Sequence, residues 1–407
     1  TTDRITPYNN FDIKKGNLSH YSVYSLYVDK VGTLWVGTYS GGINYANPLN
    51  SRFTFYHPQT HDAEELLGIY GAMDCDADGN LWIATEGEGL LQFNPVTKES
   101  QNFLIDKSPQ GPYNKNIIKY VWVDGQTVWC GTNSGTIYQF HIRDKRFTLF
   151  YQFEKESTRG IYSLFRDCNG ALWIGTTSQK GLVRLSADKR LTDEFPLAGG
   201  TSFSISSIRS FLELSEGIYL IGTRTRGLFK YDTHQKTLEN YNMAKTDASH
   251  KLKNNYVTSI KRCANGDIWV GTFGGGLYLY DEERGLIKNL STANGLPNDN
   301  VYAIEECQDA LWVSMDNGIC EINTITHETT LHNCFNGSEI LEFTPQGSYT
   351  LPNGEVYFSG SNGFLSFAPQ RLALNRNVPP VVLNNLYVNN QRIEVGDETQ
   401  ILHRVAN

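Results

Sequence analysis

The sequence predicts an all-β fold assembled from one repeated unit, and three observations carry that reading. A short apolar segment of the type Leu-Trp-Val-Gly-Thr returns every 43 to 49 residues along the 407-residue chain. Turn-forming Asp, Asn and Gly precede most copies, and glycines follow them. The composition agrees, with 12% aromatic residues, 37 glycines and only 19% charged residues, where an ordinary soluble protein carries about 25%. A hydrophobic fraction of 40% supplies a sizeable core and excludes intrinsic disorder.

The anchor of each copy is Trp35, Trp82, Trp129, Trp173, Leu220, Trp269, Trp312 or Tyr357. Each copy reads as four strands. An apolar, β-rich run comes first, as at residues 22–28, 161–165 and 301–304. A hairpin turn follows, as at 29–32, 76–79, 167–170, 264–266 and 352–354, where glycine accepts positive φ. The anchor segment is the second strand. Leu34-Trp35-Val36 and Leu81-Trp82-Ile83 are apolar without alternation, so both faces should be buried. The third strand follows the glycines, and the fourth is more polar, as at 52–56, 146–150 and 237–241.

Four antiparallel strands per repeat predict a β-propeller. Eight blades are favoured, and seven blades plus one copy in a preceding domain is the alternative. Glycine two residues after the anchor (Gly37, Gly131, Gly175, Gly222, Gly271) is expected to let the chain turn where blades crowd. Residues 4–11 are the expected closing strand. The division that follows is a propeller over 1–370, a linker over 371–380, and the first strands of another β domain over 381–407, with a turn at Asn389-Asn390. That tail is too short for a core of its own, so the chain reads as part of a longer protein.

A net charge of −8 argues against a nucleic-acid partner, which calls for a basic face. There is no run of 18 apolar residues and no signal peptide, so any targeting segment lies upstream or has been removed. The cysteines at 75, 130, 168, 263, 307, 320 and 334 form no C-x-x-C pair and are expected to be mostly free and buried. Cys75, Cys168, Cys263 and Cys307 precede their anchors by five to seven residues, as a metal ring or, by preference, as small buried hydrophobes. Asp74-Cys75-Asp76-Ala77-Asp78-Gly79 begins like a calcium loop, but Thr85 stands where the bidentate Glu belongs, so a solvated turn is favoured. Gly274-Gly275-Gly276 lacks the Lys-Ser/Thr of a phosphate loop. No serine-elbow or zinc-protease motif is present, and no cofactor or metal is expected.

The units from Asp29 to Ile43 and from Asp78 to Leu90 resemble the two-component-regulator propeller repeat, found in sensor regions of Bacteroides-type hybrid two-component systems. The likeness extends over about residues 20–370, and the tail from Pro379 to Ile393 resembles the start of the triple-tyrosine β-sandwich. The resemblance implies a periplasmic, non-enzymatic sensor module that detects glycan-derived oligosaccharides and signals to a transmembrane histidine kinase. It further implies an upstream propeller, a downstream β-sandwich and a homodimer as partners. The alternatives are a propeller lyase of the streptogramin-lyase type, acting through a histidine and a divalent metal, and a purely structural docking module.

Loops between second and third strands open on one propeller face, with the entries to the innermost strands. The residues expected to bind ligand there are Tyr39, Lys180, Arg224 and Arg226, with Asn255, Phe273, Asn300, Asp316 and Asn317. Amides and carboxylates suit hydroxyl groups, aromatics suit sugar faces, and arginines suit acid groups. Arg224 and Arg226 flank one turn and are expected to share an anion.

Overall fold

The structure is a computed structural model, and it describes residues 18–30, 32–46, 53–58, 68–107, 114–153, 160–178, 181–186, 188–242, 251–332, 342–372, 386–388 and 391–393. The chain divides into two compact units, residues 50–372 and residues 1–49 with 373–407. Among the described residues, no helix is long and apolar enough to cross a membrane.

Seven four-stranded antiparallel sheets occupy the larger unit, counted over the described residues. Their innermost strands, in chain order, are Tyr70–Cys75, Ile118–Asp124, Ile161–Arg166, Ile208–Ser215, Val257–Arg262, Val301–Cys307 and Phe343–Thr350. Each touches the next, and the seventh touches the first, so the blades form a closed ring. Blades 1 to 6 take all four strands from one repeat. Blade 7 takes three, and its outer strand is Thr54–Tyr56, paired antiparallel to Gly363–Phe367 with Phe55 opposite Leu365.

Two expectations are corrected here. The ring takes the seven-plus-one form rather than the favoured eight. The fourth strand expected of the first copy is present, but it belongs to the last blade; residues 4–11, expected to close the ring, lie outside the described residues. The seam's chemistry explains the pairing. Tyr56 stacks on Phe364 at 5.1 Å between ring centroids and meets Phe93 of blade 1 at 4.8 Å. Across the same seam, Thr344 Oγ1 donates to the Tyr70 carbonyl and Ser359 Oγ to that of Gly71, both at 2.7 Å.

The smaller unit holds a three-stranded sheet, Val23–Val28, Leu34–Thr38 and Ile43–Ala46, and a hairpin of Leu386–Val388 with Gln391–Ile393. The hairpin brackets the turn expected at Asn389-Asn390. Trp35 is 39% exposed, whereas its counterpart Trp82 in the ring is 1% exposed. Tyr24, Leu26, Tyr27 and Val28 of the first copy are exposed as well.

Each part of the repeat has a packing role. Second strands in the ring are buried at every residue, as at Leu81–Thr85 and Ile268–Thr272, or at all but the first, as at Thr127–Thr132. Glycine two residues past the anchor sits within its strand, not at a turn, and admits the next blade. A Cβ on Gly222 would lie 2.6 Å from Val257 Cγ1, and one on Gly271 2.5 Å from Val301 Cγ1. The following threonine clips the loop: Thr85 Oγ1 donates to the Gly89 carbonyl and Thr272 Oγ1 to that of Gly276, both at 2.7 Å.

The aspartate six residues before the anchor organises the turn. Asp76 Oδ2 accepts Trp82 Nε1 at 2.9 Å, while Oδ1 accepts the backbone N–H groups of Asp78 and Asn80. Asp167 repeats the arrangement with Trp173 Nε1 at 2.9 Å and the Ala171 amide at 2.8 Å. Both carboxylates are buried. The segment at 74–79 is the expected turn, with Ala77 and Asp78 exposed at its tip and the buried Asp76 pinning it. Cys263 occupies this position before Trp269, and Trp269 Nε1 has no hydrogen-bond partner among the described residues. Burial, reinforced by Glu306, pushes the Cys263 thiol up to about 12. Cys75, Cys130, Cys168, Cys263, Cys307 and Cys320 are all free, and Cys168 is exposed, against the expectation of small buried hydrophobes.

The innermost strands enclose a channel cavity of about 210 Å³, lined by Tyr120, Ser163, Ser210, Ser259, Lys261, Glu305 and Ser348 among others. Lys261 Nζ lies 2.8 Å from Glu305 Oε2, and Ser348 and Thr350 also donate to that carboxylate. Burial by itself lowers the Lys261 ammonium, but the Glu305 charge and hydrogen bond carry it above its ordinary value of 10.5. The pair's stabilisation is thus fully present below pH 10.5 and is lost as pH rises through the raised value.

Three substitutions test these contacts. Asp76→Ala leaves a buried indole N–H and two amides without acceptors and should cost about 3 kcal/mol, whereas Cys263→Asp should add about 1 kcal/mol by giving Trp269 one. Urea unfolding measures both; a loss under about 1 kcal/mol for the first would remove the aspartate from its structural role. Lys261→Met leaves Glu305 buried without its cation and should cost about 3 kcal/mol at pH 7, with the deficit shrinking above pH 10.5. A deficit constant from pH 7 to 11.5 would contradict the pairing.

Candidate functional site at the channel mouth

Every innermost strand of the ring departs from regular pairing near its start. Pairing of the first strand with the second slips between Ile161 and Ser163, between Ile208 and Ser210, and between Val257 and Ser259. Corresponding slips span Lys119, Tyr302 and residues 344–347. These are β-bulges, and a bulge re-aims the side chain of its extra residue. The extra residues Lys119, Tyr162, Arg209, Thr258 and Tyr302 all precede the cavity-lining positions of their own strands, which sets them around the end of the channel where those strands begin.

An aromatic arc covers blades 5 and 6. Phe273, 38% exposed, lies 5.8 Å from the Tyr256 ring and 6.0 Å from the Tyr302 ring. Its backbone bridges to Asn300. Asp316 joins the arc by accepting Tyr302 Oη at 2.5 Å and Asn300 Nδ2 at 2.6 Å. Burial, and then Asp316, raise the Tyr302 hydroxyl above its ordinary value, so it remains a donor. The Arg224 guanidinium stands over the Tyr256 ring at 5.7 Å.

A basic arc covers blades 2 to 4. Lys119 Nζ lies 2.5 Å from Glu86 and 5.5 Å from the Tyr162 ring centroid, and the Arg209 guanidinium lies 3.6 Å from that same centroid. Gln346, at φ 61° in the blade 7 bulge, reaches across to donate to the Arg209 carbonyl.

Of the residues expected to bind ligand, the structure gathers Arg224, Phe273, Asn300 and Asp316. The Asn255 carbonyl accepts the Gly227 amide beside them. Asn317 reaches the loop that enters the innermost strand of its blade, with Nδ2 donating to the Pro297 carbonyl at 3.3 Å. Arg226 stands over Phe229 at 6.0 Å, so the two arginines expected to share an anion face different rings. The turn separates them: Arg226 N donates to Thr223 Oγ1, which itself donates to the Gly227 carbonyl. Tyr39 belongs to the smaller unit, 5.4 Å from Tyr24, and Lys180 lies outside the described residues.

The bulge residues Lys119, Tyr162, Arg209 and Tyr302 were not expected at the site. Their signal is positional: each follows the apolar residue that opens its innermost strand. Among the described residues, no group of three or more His, Cys, Asp or Glu is placed to hold a metal ion.

Known proteins were compared with this chain. Residues 17–40, within the first copy, match the family model for the two component regulator propeller. "Histidine kinase P4" of Formosa agariphila is 23% identical over 381 residues, which make up 89% of this chain and 27% of that protein. The chain thus spans about a quarter of that curated relative's length. The extracellular domain assigned to a hybrid two component system of B. thetaiotaomicron superposes with a TM-score of 0.69 at 24% identity, covering 94% of this chain and 51% of that one. Virginiamycin B lyase from Staphylococcus aureus gives 0.57 at 13% identity, covering 78% of this chain and 98% of that one. At these identities the likeness to solved structures is one of fold. By its own residues 17–40, the chain carries the two component regulator propeller repeat.

Proposed function

We propose that the chain is an extracytoplasmic sensor module of a two-component system, recognising glycan-derived oligosaccharides at the channel mouth and relaying their binding to a histidine kinase. The observation that carries this reading is the arc of Tyr256, Phe273 and Tyr302 beside Asp316 and Asn300. The exposed Phe273 ring, flanked by the half-buried Tyr256 and Tyr302, suits the apolar face of a pyranose, and a carboxylate next to an amide suits its hydroxyl groups. The repeat match and the likeness to extracellular domains of two-component sensors support the setting.

The first copy has its own place in this reading. Its apolar side chains are exposed as a blade's would be without neighbours, which fits the last blade of a preceding propeller. The hairpin at 386–393 fits the opening of a following β domain.

Calorimetric titration of the chain with neutral and acidic oligosaccharides tests the recognition. A sugar that binds should lose affinity about tenfold or more on Phe273→Ala and on Asp316→Asn, with the fold intact by circular dichroism. Equal affinity in both variants, or no binding across the panel, would contradict the mouth as the recognition site.

A further inference from the structure

Arg209 is the most unusual side chain in the ring. It is only 5% exposed, yet its Nε and Nη1 have no hydrogen-bond partner among the described residues. Burying an ionised group without a partner is strongly unfavourable, and a guanidinium keeps its charge. The Tyr162 ring at 3.6 Å supplies a cation–π contact, which offsets part of that cost but satisfies no N–H donor. Glu86, the carboxylate on this arc, is taken by Lys119 at 2.5 Å. Next to Arg209, Ser210 Oγ is also buried without a partner, and Ser210 lines the channel cavity. The bulge that aims Arg209 is held in place by Gln346, which donates to the Arg209 carbonyl.

We infer that Arg209 anchors an anion subsite at the channel mouth, taking a carboxylate or sulfate group with Ser210 as a second donor. This rests on the reading of the mouth as a recognition site and narrows it: the ligand carries an acid group, held on blades 2 to 4, while its ring lies toward Phe273 and Tyr302. The Tyr162 ring contacts both cations, with the Arg209 guanidinium 3.6 Å and Lys119 Nζ 5.5 Å from its centroid. Charge-assisted hydrogen bonds to such a group are among the stronger polar contacts a protein makes.

The test titrates the whole chain with three probes at matched ionic strength: sodium sulfate, glucuronate, and methyl glucoside as the neutral control. Wild type should bind sulfate or glucuronate saturably, and Arg209→Met should weaken that binding by about tenfold or more. With no anion present, Arg209→Met should also melt higher than wild type, because it removes a buried charge that lacks a partner. Binding of glucuronate assigns the acid group to a sugar carboxylate, and binding of sulfate alone assigns it to a sulfate ester or free ion. Should Arg209→Met not fold, Arg209→Lys must show the same loss of anion affinity. Unchanged anion binding in the variant, or non-saturating stabilisation equal in both proteins, overturns the subsite. Neutral oligosaccharide binding that Phe273→Ala abolishes and Arg209→Met leaves intact would overturn the subsite alone and preserve the mouth.

Discussion

A single three-residue pairing decides what the rest of the larger unit can be. Thr54–Tyr56 adds itself to Gly363–Phe367, so the last blade is finished by chain from the start of the ring. A propeller blade has exposed backbone donors and acceptors at its outer edge and large apolar faces on both sides. An open stack would leave those faces in water at its two ends. Joining the first and last blades removes both ends at once, and Tyr56 reinforces the join by touching Phe364 on one side and Phe93 on the other. The contrast with the first copy makes the point within one molecule. The same segment type that buries Trp82 inside the ring leaves Trp35, in the smaller unit, substantially exposed.

Closure also explains how a site arises from a repeat. Each innermost strand carries its bulge near the same point, so a ring of re-aimed side chains surrounds one mouth. The repeat fixes the location and leaves the identity of the residue free. Lys119, Tyr162 and Arg209 make one arc basic, while Tyr302, with Phe273 and Tyr256 from neighbouring loops, makes the other aromatic. Rigidity comes from below: the Lys261–Glu305 pair, with Ser348 and Thr350 on the same carboxylate, ties blades 5, 6 and 7 across the channel. A ring built this way can vary the residues at its mouth one blade at a time without disturbing the stack.

Much of this was legible in the sequence, because the features that set the period are local. The anchor, the glycine two residues on and the turn glycine each act within a few residues of themselves, so their spacing shows directly. What escaped depends on partners far apart in the chain. Strand 54–56 has the composition of an outer strand, but nothing in it states that its partner lies some 310 residues away. The aspartate of Asp76 looks like any hairpin residue until its hydrogen bond to Trp82 is seen. Arg224 and Arg226 looked paired because they are close in sequence, yet turn geometry sends them to different rings. Arg209 was invisible for the opposite reason: a charged residue inside an apolar strand reads as a solvated position, and only closure buries it.

The central claim is that the ring is one cooperative body held by its seam. Hydrogen exchange on the full chain, comparing wild type with Phe55→Asp, tests it most directly. If the seam holds the ring, losing one outer strand should deprotect Tyr70–Cys75 and Phe343–Thr350 together, although neither segment pairs with residue 55. Loss of protection confined to Thr54–Tyr56 and Gly363–Phe367, with the innermost strands of blades 1 and 7 unchanged, would contradict it.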